Sequence, residues 1–271
     1  MTLTDRHERH ASTNTTILNL GCGVKTSSAD GVVNVDWSIY LRLRRNPLMR
    51  RFTPFLLRGE RRARFISLPN NIVVHDLSRG IPFEDSSVDV VYHSHFLEHL
   101  DRAHVNGFLL EARRVLRPGG VHRIVVPDFE ALARSYLDHI ALCEREEGAR
   151  TTHDCRVSEL LEQFVRVEAF GSSQQGRLRR AIENKLLGDA RKRGEVHRWA
   201  YDRYNLTNLL RRSGYIDIRM HAYKTSRIQG WNAYGLDLSD EGTEYRPGSL
   251  YMEASAPSTE RTQSEEGPRF A

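Results

Sequence analysis

The sequence has few cysteines and no long uncharged apolar stretch, and each absence excludes a class of protein. Only three cysteines occur among 271 residues, namely Cys22, Cys143 and Cys155. Their odd number and irregular spacing argue against a disulfide framework and against a zinc ribbon, so we expect a reducing compartment. No apolar run approaches the roughly 20 residues of a membrane-spanning helix, and residues 1–14 lack the apolar core of a signal peptide. We therefore expect a cytoplasmic protein.

Length and composition favour a single α/β domain. Hydrophobic residues make up 39% of the chain, which is enough to bury a substantial core. We expect a flexible N-terminus at 1–14, one domain at 15–254 and a disordered tail at 255–271, which is rich in Ser, Thr, Glu and Pro. Within the domain, a basic insertion is predicted at 37–70 and a helical insertion at 144–195.

A glycine-rich turn follows the first apolar run of this domain. Residues 15–20 have the pattern of a buried strand, and Gly21-Cys22-Gly23 follows at once. Because glycine has no side chain, such a turn lets a ligand lie directly on backbone amides. A second apolar run, 32–35, ends at Asp36, which places a carboxylate at the tip of the predicted neighbouring strand. Both strand tips are expected to face one crevice of nucleoside size.

The turn lacks the third glycine of a dinucleotide-binding fingerprint, because Thr26 occupies that position. This argues against NAD and FAD, and it leaves a turn suited to a ligand without a pyrophosphate. The connection at 25–31 is also too short for a full crossover helix, so a turn or a single helical turn is expected there.

Hydrophobic periodicity predicts the remaining elements. Strands are expected at 71–76, 88–92, 121–126, 215–220 and 249–253, and helices at 102–116, 128–140 and 202–212. Asp128 is predicted to cap the second of these helices. Two further amphipathic pieces are predicted at 157–170 and 178–187. The connection 226–248 is long for a loop in a compact domain, which predicts that it is either functional or disordered.

Four motifs stand in a fixed order along the chain. They are LNLGCG at 18–23, Asp76-Leu77 with Ile81-Pro82-Phe83, VDVVYHSHFLEHL at 88–100 and EARRVLRPGG at 111–120. In this order they resemble the class I S-adenosylmethionine-dependent methyltransferases, in particular the type 11-like branch found with glycosyltransferases in surface-polysaccharide biosynthesis. The resemblance covers nearly the whole chain to Ala254. It implies a Rossmann-like, doubly wound, mostly parallel seven-stranded sheet with an antiparallel last strand and helical insertions.

The resemblance also implies S-adenosyl-L-methionine as the cofactor, held at the strand ends. Gly21 and Gly23 would admit its amino-acid part and ribose, Asp36 would accept the ribose hydroxyls, and Asp76 with Leu77 would border adenine. The whole predicted set is Leu20, Gly21, Cys22, Gly23, Asp36, Trp37, Asp76, Leu77 and His93. Other interpretations stay open, since the glycines can simply permit a strained turn and both aspartates can cap helices. Trp37 can stack on adenine or pack on the core.

Histidines are the candidates for catalysis. A sulfonium methyl is already activated, so the enzyme mainly aligns the acceptor and, for a hydroxyl acceptor, removes a proton. A neutral imidazole suits this duty at pH 7. The predicted catalytic residues are His93, His95 and His197, whereas Glu98-His99 is expected to orient the loop and helix. The His-x-His pair lacks a carboxylate or cysteine at matching spacing, so no metal is predicted.

Residues 197–202 form a second constellation, His-Arg-Trp-Ala-Tyr-Asp. In the same family branch a similar His-x-x-x-Tyr-Asp stretch precedes the late helix. Asp202 is predicted to be the N-cap of that helix, with Tyr201 as a hydrophobic staple. His197 is assigned to the acceptor site.

Nine arginines crowd residues 42–64 and alternate with Leu, Met and Phe. This composition suits an amphipathic surface that meets anionic lipid, an acidic lid contact, phosphate on a substrate carrier, or a merely solvated helical insertion. An anionic membrane surface is therefore a predicted partner, with the protein peripheral to it. RNA competes as a partner because the pI is near 9.2, although the sequence contains no recognisable RNA-binding module.

The predicted function is O-methylation of a sugar or related small molecule, including lipid-linked forms. Two alternatives stay open. One is an RNA methyltransferase, and the other is a cofactor-binding partner without catalysis in a biosynthetic complex, because a fold does not fix an activity.

Overall fold

A computed structural model describes residues 15–57, 59–67, 69–164 and 197–258. The strands are β1 (Ile17–Leu20), β2 (Val32–Asp36), β3 (Ile72–Val74), β4 (Val88–Ser94), β5 (Leu116–Pro127), β6 (Ile216–His221) and β7 (Ser249–Ser255). They form one sheet in the order β3-β2-β1-β4-β5-β7-β6. Strands β1 to β5 are parallel, and β7 runs antiparallel to both of its neighbours. The predicted doubly wound sheet with an antiparallel last strand is confirmed.

The described residues contain helices α1 (Ile39–Arg45), α2 (Pro47–Leu56), α3 (Gly59–Ser67), α4 (Arg102–Val115), α5 (Phe129–Arg145), α6 (Glu147–Arg150), α7 (His153–Phe164) and α8 (Arg203–Arg212). The predicted caps are confirmed, since Asp128 accepts a hydrogen bond from the N–H of Ala131 and Asp202 forms a capping box with Asn205. The predicted piece at 178–187 lies outside the described residues. Among those described, no helix is both long and apolar enough to cross a membrane.

The parallel strands are covered on both faces, so successive strand residues are buried on opposite sides. One face packs against α4 and α8 and includes Leu18, Val91, Leu109 and Leu206. The other face packs against the connection between β6 and β7 and includes Ile17, Tyr92, Trp231 and Leu236. Whether a strand side chain points toward α4 and α8 or toward the connection between β6 and β7 therefore follows from its position in the strand.

A buried ionic network holds the connection 226–248 against the sheet, so of the two alternatives predicted for it, function or disorder, disorder is excluded. Arg123 on β5 is fully buried and pairs with Asp237 at 2.8 Å and with Glu253 at 2.7 Å. The hydroxyl of Tyr92 and the indole N–H of Trp231 also donate to Asp237, each at 2.7 Å. A buried charge is tolerated only when it is paired and hydrogen-bonded, and every member here has such partners.

Several element boundaries differ from the prediction by a few residues, among them the start of β5 and the end of β7. Strand β5 begins at Leu116, directly after α4, and β7 continues to Ser255. The N–H of Ala256 donates to the carbonyl of Gly120 at 2.9 Å, and the N–H of Gly119 donates to the carbonyl of Ala256 at 3.1 Å. Pairing with the start of β5 therefore continues to Ala256, whereas the domain bounds of 15–254 stay a prediction.

Candidate functional site

The carboxyl ends of β1, β2, β4 and β5 meet at one edge of the sheet. Strands β1 and β4 are neighbours there, at the point where the strand order reverses. In open α/β sheets ligands bind at such a switch point. The glycine turn, Asp36 and His95 all lie at this edge, each directly after or at the end of its strand.

The two glycines of the turn have different reasons for being glycine. Gly21 and Gly23 have φ angles of 61° and 56°, in the left-handed region that disfavours side chains. A Cβ atom on Gly21 would also lie 2.3 Å from the Phe96 ring, whereas one on Gly23 would have no atom within 4 Å. Gly21 is therefore required by packing, and Gly23 lies beside open space that a ligand can occupy.

Asp36 fixes the shape of the turn. Its Oδ2 accepts a hydrogen bond from the N–H of Gly23 at 2.8 Å, and its Oδ1 accepts one from the N–H of Ser38 at 2.7 Å. A carboxylate has about four acceptor positions, so both oxygens retain capacity for ribose hydroxyls. Contact between Asp36 and a ribose stays a prediction.

A buried pair of asparagines, missed by the sequence reasoning, holds the connection between β1 and β2. Asn19 and Asn34 lie opposite each other in register, and the amide of Asn19 donates to Asn34 Oδ1 and to the carbonyl of Lys25, each at 2.9 Å. The amide of Asn34 donates in turn to the carbonyl of Ser27 at 2.9 Å. Residues 21–31 form turns without a helix, as predicted, and these amides replace the hydrogen bonds that a helix would make.

Three other predicted cofactor residues lie beside the turn. Leu20 is fully buried in the core and Cys22 is nearly so. Burial, together with the charge of Asp36, raises the pKa of the Cys22 thiol, so this cysteine is unreactive. Trp37 is exposed instead of packing on the core, and the guanidinium of Arg42 lies 4.7 Å from its ring centre.

Asp76 follows β3 and caps the 3₁₀ turn Leu77–Arg79, as one of the two interpretations predicted. It accepts hydrogen bonds from the N–H of Ser78 at 3.1 Å and from the Ser78 hydroxyl at 2.7 Å. These bonds hold the pKa of Asp76 below its ordinary value. Leu77 packs partly against the core. The contact of Asp76 and Leu77 with adenine stays a prediction.

His93 lies inside the core, away from the open edge. It shares the α4 face of the sheet with Val91, and its ring centre lies 5.4 Å from that of Phe108 and 5.0 Å from that of His122. Among the described residues neither ring nitrogen has a hydrogen-bond partner, and burial lowers the pKa of His93 to about 3. His93 is fully buried, and its contact with a cofactor or an acceptor stays a prediction.

The other candidate histidines surround Glu98, which is only 1% exposed. Its Oε1 lies 3.5 Å from Nδ1 of His95, 3.9 Å from Nε2 of His197 and 4.0 Å from Nε2 of His99. Within the part of the chain that the structure describes, neither carboxylate oxygen has a hydrogen-bond partner, and burial raises the pKa of Glu98 to about 8. A buried carboxylate without partners requires an explanation, and in a cleft a perturbed acid indicates a functional site.

The surroundings of His95 fix its tautomer. The hydroxyl of Ser249 donates to the carbonyl of Arg246 at 2.7 Å, so it must accept a hydrogen bond from Nε2–H of His95 at 2.8 Å. Nδ1 then carries a lone pair that faces Glu98. Burial, followed by the charge of Arg246, lowers the pKa of His95 to about 3. Its φ of 50° adds backbone strain of the kind found at functional sites.

The segment before α8 reaches the same place from the other end of the chain. The N–H of Arg198 donates to the carbonyl of Glu98 at 2.7 Å, and the N–H of Phe129 donates to the carbonyl of Tyr201 at 3.0 Å. The rings of His99 and His197 meet edge to face at 4.7 Å. The structure thus places both His95 and His197 beside Glu98, a residue that was predicted only to orient the loop and helix.

Two clusters among the described residues have ligand atoms close enough to hold a metal ion. One is Glu98, His99 and His197, and the other is His139, Cys143 and His153. Each set combines two residues close together in the sequence with a histidine further along the chain, and the sequence reasoning predicted neither.

A comparison with protein families finds one match, in which residues 52–124 match the model described as a methyltransferase domain. Among curated proteins none matches the sequence.

Several solved structures resemble this fold distantly. A S-adenosylmethionine-dependent methyltransferase from Mesorhizobium loti is 16% identical with a TM-score of 0.40, and the alignment covers 89% of this chain and 91% of that chain. One from Archaeoglobus fulgidus is 14% identical with a TM-score of 0.39, covering 90% and 86%. Phosphoethanolamine N-methyltransferase 2 from Haemonchus contortus, in complex with S-adenosyl-L-methionine, is 13% identical with a TM-score of 0.39, covering 90% and 49%. Similarities this distant say nothing about the acceptor.

Proposed function

We propose that this protein, an S-adenosylmethionine-dependent methyltransferase by its family match and sheet order, O-methylates a sugar or a related small molecule. One observation carries the proposal, namely the grouping of three imidazoles around the buried Glu98 at the switch-point edge. A hydroxyl must lose its proton when it attacks the methyl group, and this group of side chains supplies a base.

The residues at the glycine turn fit the cofactor. Gly23 leaves open space beside the backbone, and Asp36 keeps unused acceptor positions at the end of β2. When bound, S-adenosylmethionine supplies a methyl group that its sulfonium already activates for displacement. The chain then has to hold the acceptor in line with that methyl and remove one proton.

His197 is the base that this arrangement favours. His93 is enclosed in the core, and the low pKa of His95, about 3, makes it a weak base. As the acceptor oxygen bonds to the methyl carbon and the carbon–sulfur bond breaks, the hydroxyl proton passes to His197. Glu98, whose Oε1 lies 3.9 Å from Nε2 of His197, is a neutral acid at pH 7 because burial raises its pKa to about 8. When the imidazolium forms, Glu98 releases its proton to water and the resulting carboxylate stabilises the imidazolium, and His197 then passes its own proton to Glu98.

The test measures transfer of labelled methyl groups from S-adenosylmethionine to sugar nucleotides, lipid-linked sugars and RNA. Replacing His197 by Ala should lower kcat by about 10²- to 10⁴-fold and leave cofactor affinity nearly unchanged. Asp202→Ala is the matched control, because it removes a cap in the same segment. Wild-type rates in both His95→Ala and His197→Ala would contradict a histidine base and favour a nitrogen or sulfur acceptor, whereas labelled RNA would refute the sugar assignment.

We also propose that the acceptor is met at an anionic membrane surface, through helices α1 to α3. Helix α2 exposes Leu48, Phe52 and Phe55, the last by 78%, and this spacing places them on one face. Arg50 and Arg51 are exposed between them. An apolar stripe bordered by arginines suits insertion between anionic headgroups.

Liposome pelleting tests this surface. Binding should require acidic headgroups and fall as salt rises, because the screening length is about 8–10 Å at 0.10–0.15 M salt. Phe52→Ser with Phe55→Ser should abolish pelleting, whereas Leu137→Ser, which alters a leucine that is 62% exposed on α5, should leave it unchanged. Equal pelleting with neutral and acidic liposomes would contradict the proposal. So would a dimer of the wild-type protein that dissociates in the double variant, because α2 would then be covered by a second copy of the chain.

A further inference from the structure

We infer that α5 and α7 are joined by a zinc ion bound to His139, Cys143 and His153. The three ligand atoms converge from two helices, with Nδ1 of His139 lying 3.2 Å from Nδ1 of His153. Sγ of Cys143 lies 3.4 Å from Nδ1 of His139 and 3.9 Å from Nδ1 of His153. This site takes no part in the proposed methyl transfer.

These separations are those of a tetrahedral zinc site. With Zn–N of about 2.0–2.1 Å and Zn–S of about 2.3 Å, tetrahedral angles put two nitrogens about 3.3 Å apart and sulfur about 3.5 Å from nitrogen. The observed triangle of 3.2, 3.4 and 3.9 Å agrees with these values, so the ion needs little movement of the side chains. Water or another oxygen completes the fourth position.

The local structure explains why the three atoms meet. His139 and Cys143 are four residues apart on α5, which places them on one face of the helix, one turn from each other. The short helix α6 then reverses the chain, and His153 opens α7. The imidazole rings of His139 and His153 stack with centres 5.4 Å apart, which leaves both Nδ1 atoms facing the sulfur.

The chemistry of the set favours zinc over the common alternatives. Two imidazoles and a thiolate are borderline-soft ligands, which disfavours magnesium and calcium. A hydrogen bond between the Nδ1 atoms of His139 and His153 would account for the contact between these two residues, but it would not involve the Cys143 thiol. A bound ion uses all three lone pairs at once, and binding releases the thiol proton.

The position of the site gives it a structural role. Helix α5 starts at Phe129, next to the contact with Tyr201 at the site edge, and α7 belongs to the helical insertion. An ion between α5 and α7 fixes the start of this insertion to the helix that leaves β5.

The experiment uses the full chain, stripped with a chelator and titrated with Co²⁺ as a spectroscopic probe, with Zn²⁺ as competitor. One ion should bind and produce a cobalt–thiolate charge-transfer band. Residues that hydrogen-bond a metal ligand contribute about 10–100-fold to metal affinity. Losing a ligand itself, in Cys143→Ser or His153→Asn, should therefore weaken Zn²⁺ binding by more than about 100-fold. Cys155→Ser, which alters the exposed cysteine two residues after His153, should change neither band nor affinity.

Circular dichroism of each variant confirms that it is folded before its affinity is compared. The inference is overturned if the wild-type chain binds no ion, or if the charge-transfer band persists in Cys143→Ser. Binding without that band would also overturn it, because the cluster at Glu98, His99 and His197 contains no sulfur.

Discussion

Replacing Glu98 by Gln should stabilise the folded protein more and more as the pH rises above about 4.5. The carboxyl group is 1% exposed, has no hydrogen-bond partner among the residues that the structure describes, and has a pKa raised by burial from 4.5 to about 8. Between these two values the folded protein holds a proton that the unfolded chain has released. Unfolding therefore releases a proton, and rising pH favours it. Glutamine has the same shape and does not titrate, so it removes this loss of stability.

The size of the effect follows from the shift. Each pKa unit corresponds to about 1.36 kcal/mol, so by pH 7 the wild-type protein has lost about 3 kcal/mol relative to the variant, and by pH 8 at most about 5 kcal/mol. These are upper values, because a charge on His95, His99, His197 or Arg246 would help to stabilise the carboxylate. Below pH 4.5 the two proteins should differ little.

Urea denaturation at pH 5.5 and pH 8.0 measures this difference. The gain in unfolding free energy of Glu98→Gln should be larger at pH 8.0, while Glu159→Gln, which alters an exposed glutamate of α7, should show no such increase. Equal gains at both pH values would show that the Glu98 carboxylate is ionised throughout, and would refute the account of an unpartnered buried acid.

The same substitution should slow methyl transfer. Unit charges 4 Å apart interact by about 4 kcal/mol at an effective dielectric constant near 20, and Nε2 of His197 lies 3.9 Å from Oε1 of Glu98. Ionising Glu98 at pH 7 from a pKa of about 8 costs about 1.4 kcal/mol, so losing the net stabilisation of the imidazolium corresponds to a decrease in kcat of up to about 10²-fold. A variant that is more stable yet slower would assign Glu98 to the reaction rather than to the fold.

Three further outcomes are expected. The pKa of His93 is about 3 in the folded protein, below its ordinary 6.5, so the folded protein loses stability as the pH falls below 6.5. In urea denaturation, His93→Leu should therefore recover about 2 kcal/mol of unfolding free energy at pH 5 relative to pH 7.5. The control substitution at an exposed histidine, His104→Leu, should show no such recovery. Asp202→Ala should lower stability by about 1 kcal/mol in thermal unfolding without slowing methyl transfer. Asp36→Ala should weaken binding of S-adenosylmethionine severely, since it removes two hydrogen bonds of about 1.5–3 kcal/mol each, and calorimetry on the folded variant that shows unchanged affinity would contradict the ribose contact.

Local pattern was sufficient to predict most of the sheet. Apolar runs ending at glycine or aspartate predicted β1 and β2, and the switch-point rule placed both ends at one edge. The caps at Asp128 and Asp202 were also predictable, because capping depends on residues within one helical turn. Features that depend only on residues close together in the chain could therefore be predicted from the sequence.

Contacts between distant residues were not predictable in this way. Arg123 meets Asp237 across 114 positions, and no local pattern distinguishes a buried arginine of this kind from an exposed one. Alternation along β4 does carry information, since His93 has the same parity as Val91 and therefore points to the α4 face. The sequence reasoning weighed the residue type of His93 above its position in the strand, so it did not predict that His93 is fully buried.

The buried charged groups of this domain separate structure from function. Arg123, Asp237 and Glu253 lie on one face of the sheet, and each has close hydrogen-bonded partners, so their burial is explained by the loop that they hold. Glu98 is as deeply buried but accepts no hydrogen bond at either oxygen from any described residue, and it lies at the switch-point edge among imidazoles. Burying such a carboxyl without partners costs stability. A proton held by Glu98 or passed between it and His197 offers the reason for placing an acid there, which is why Glu98, rather than any single histidine, is the residue on which the proposed chemistry should be tested first.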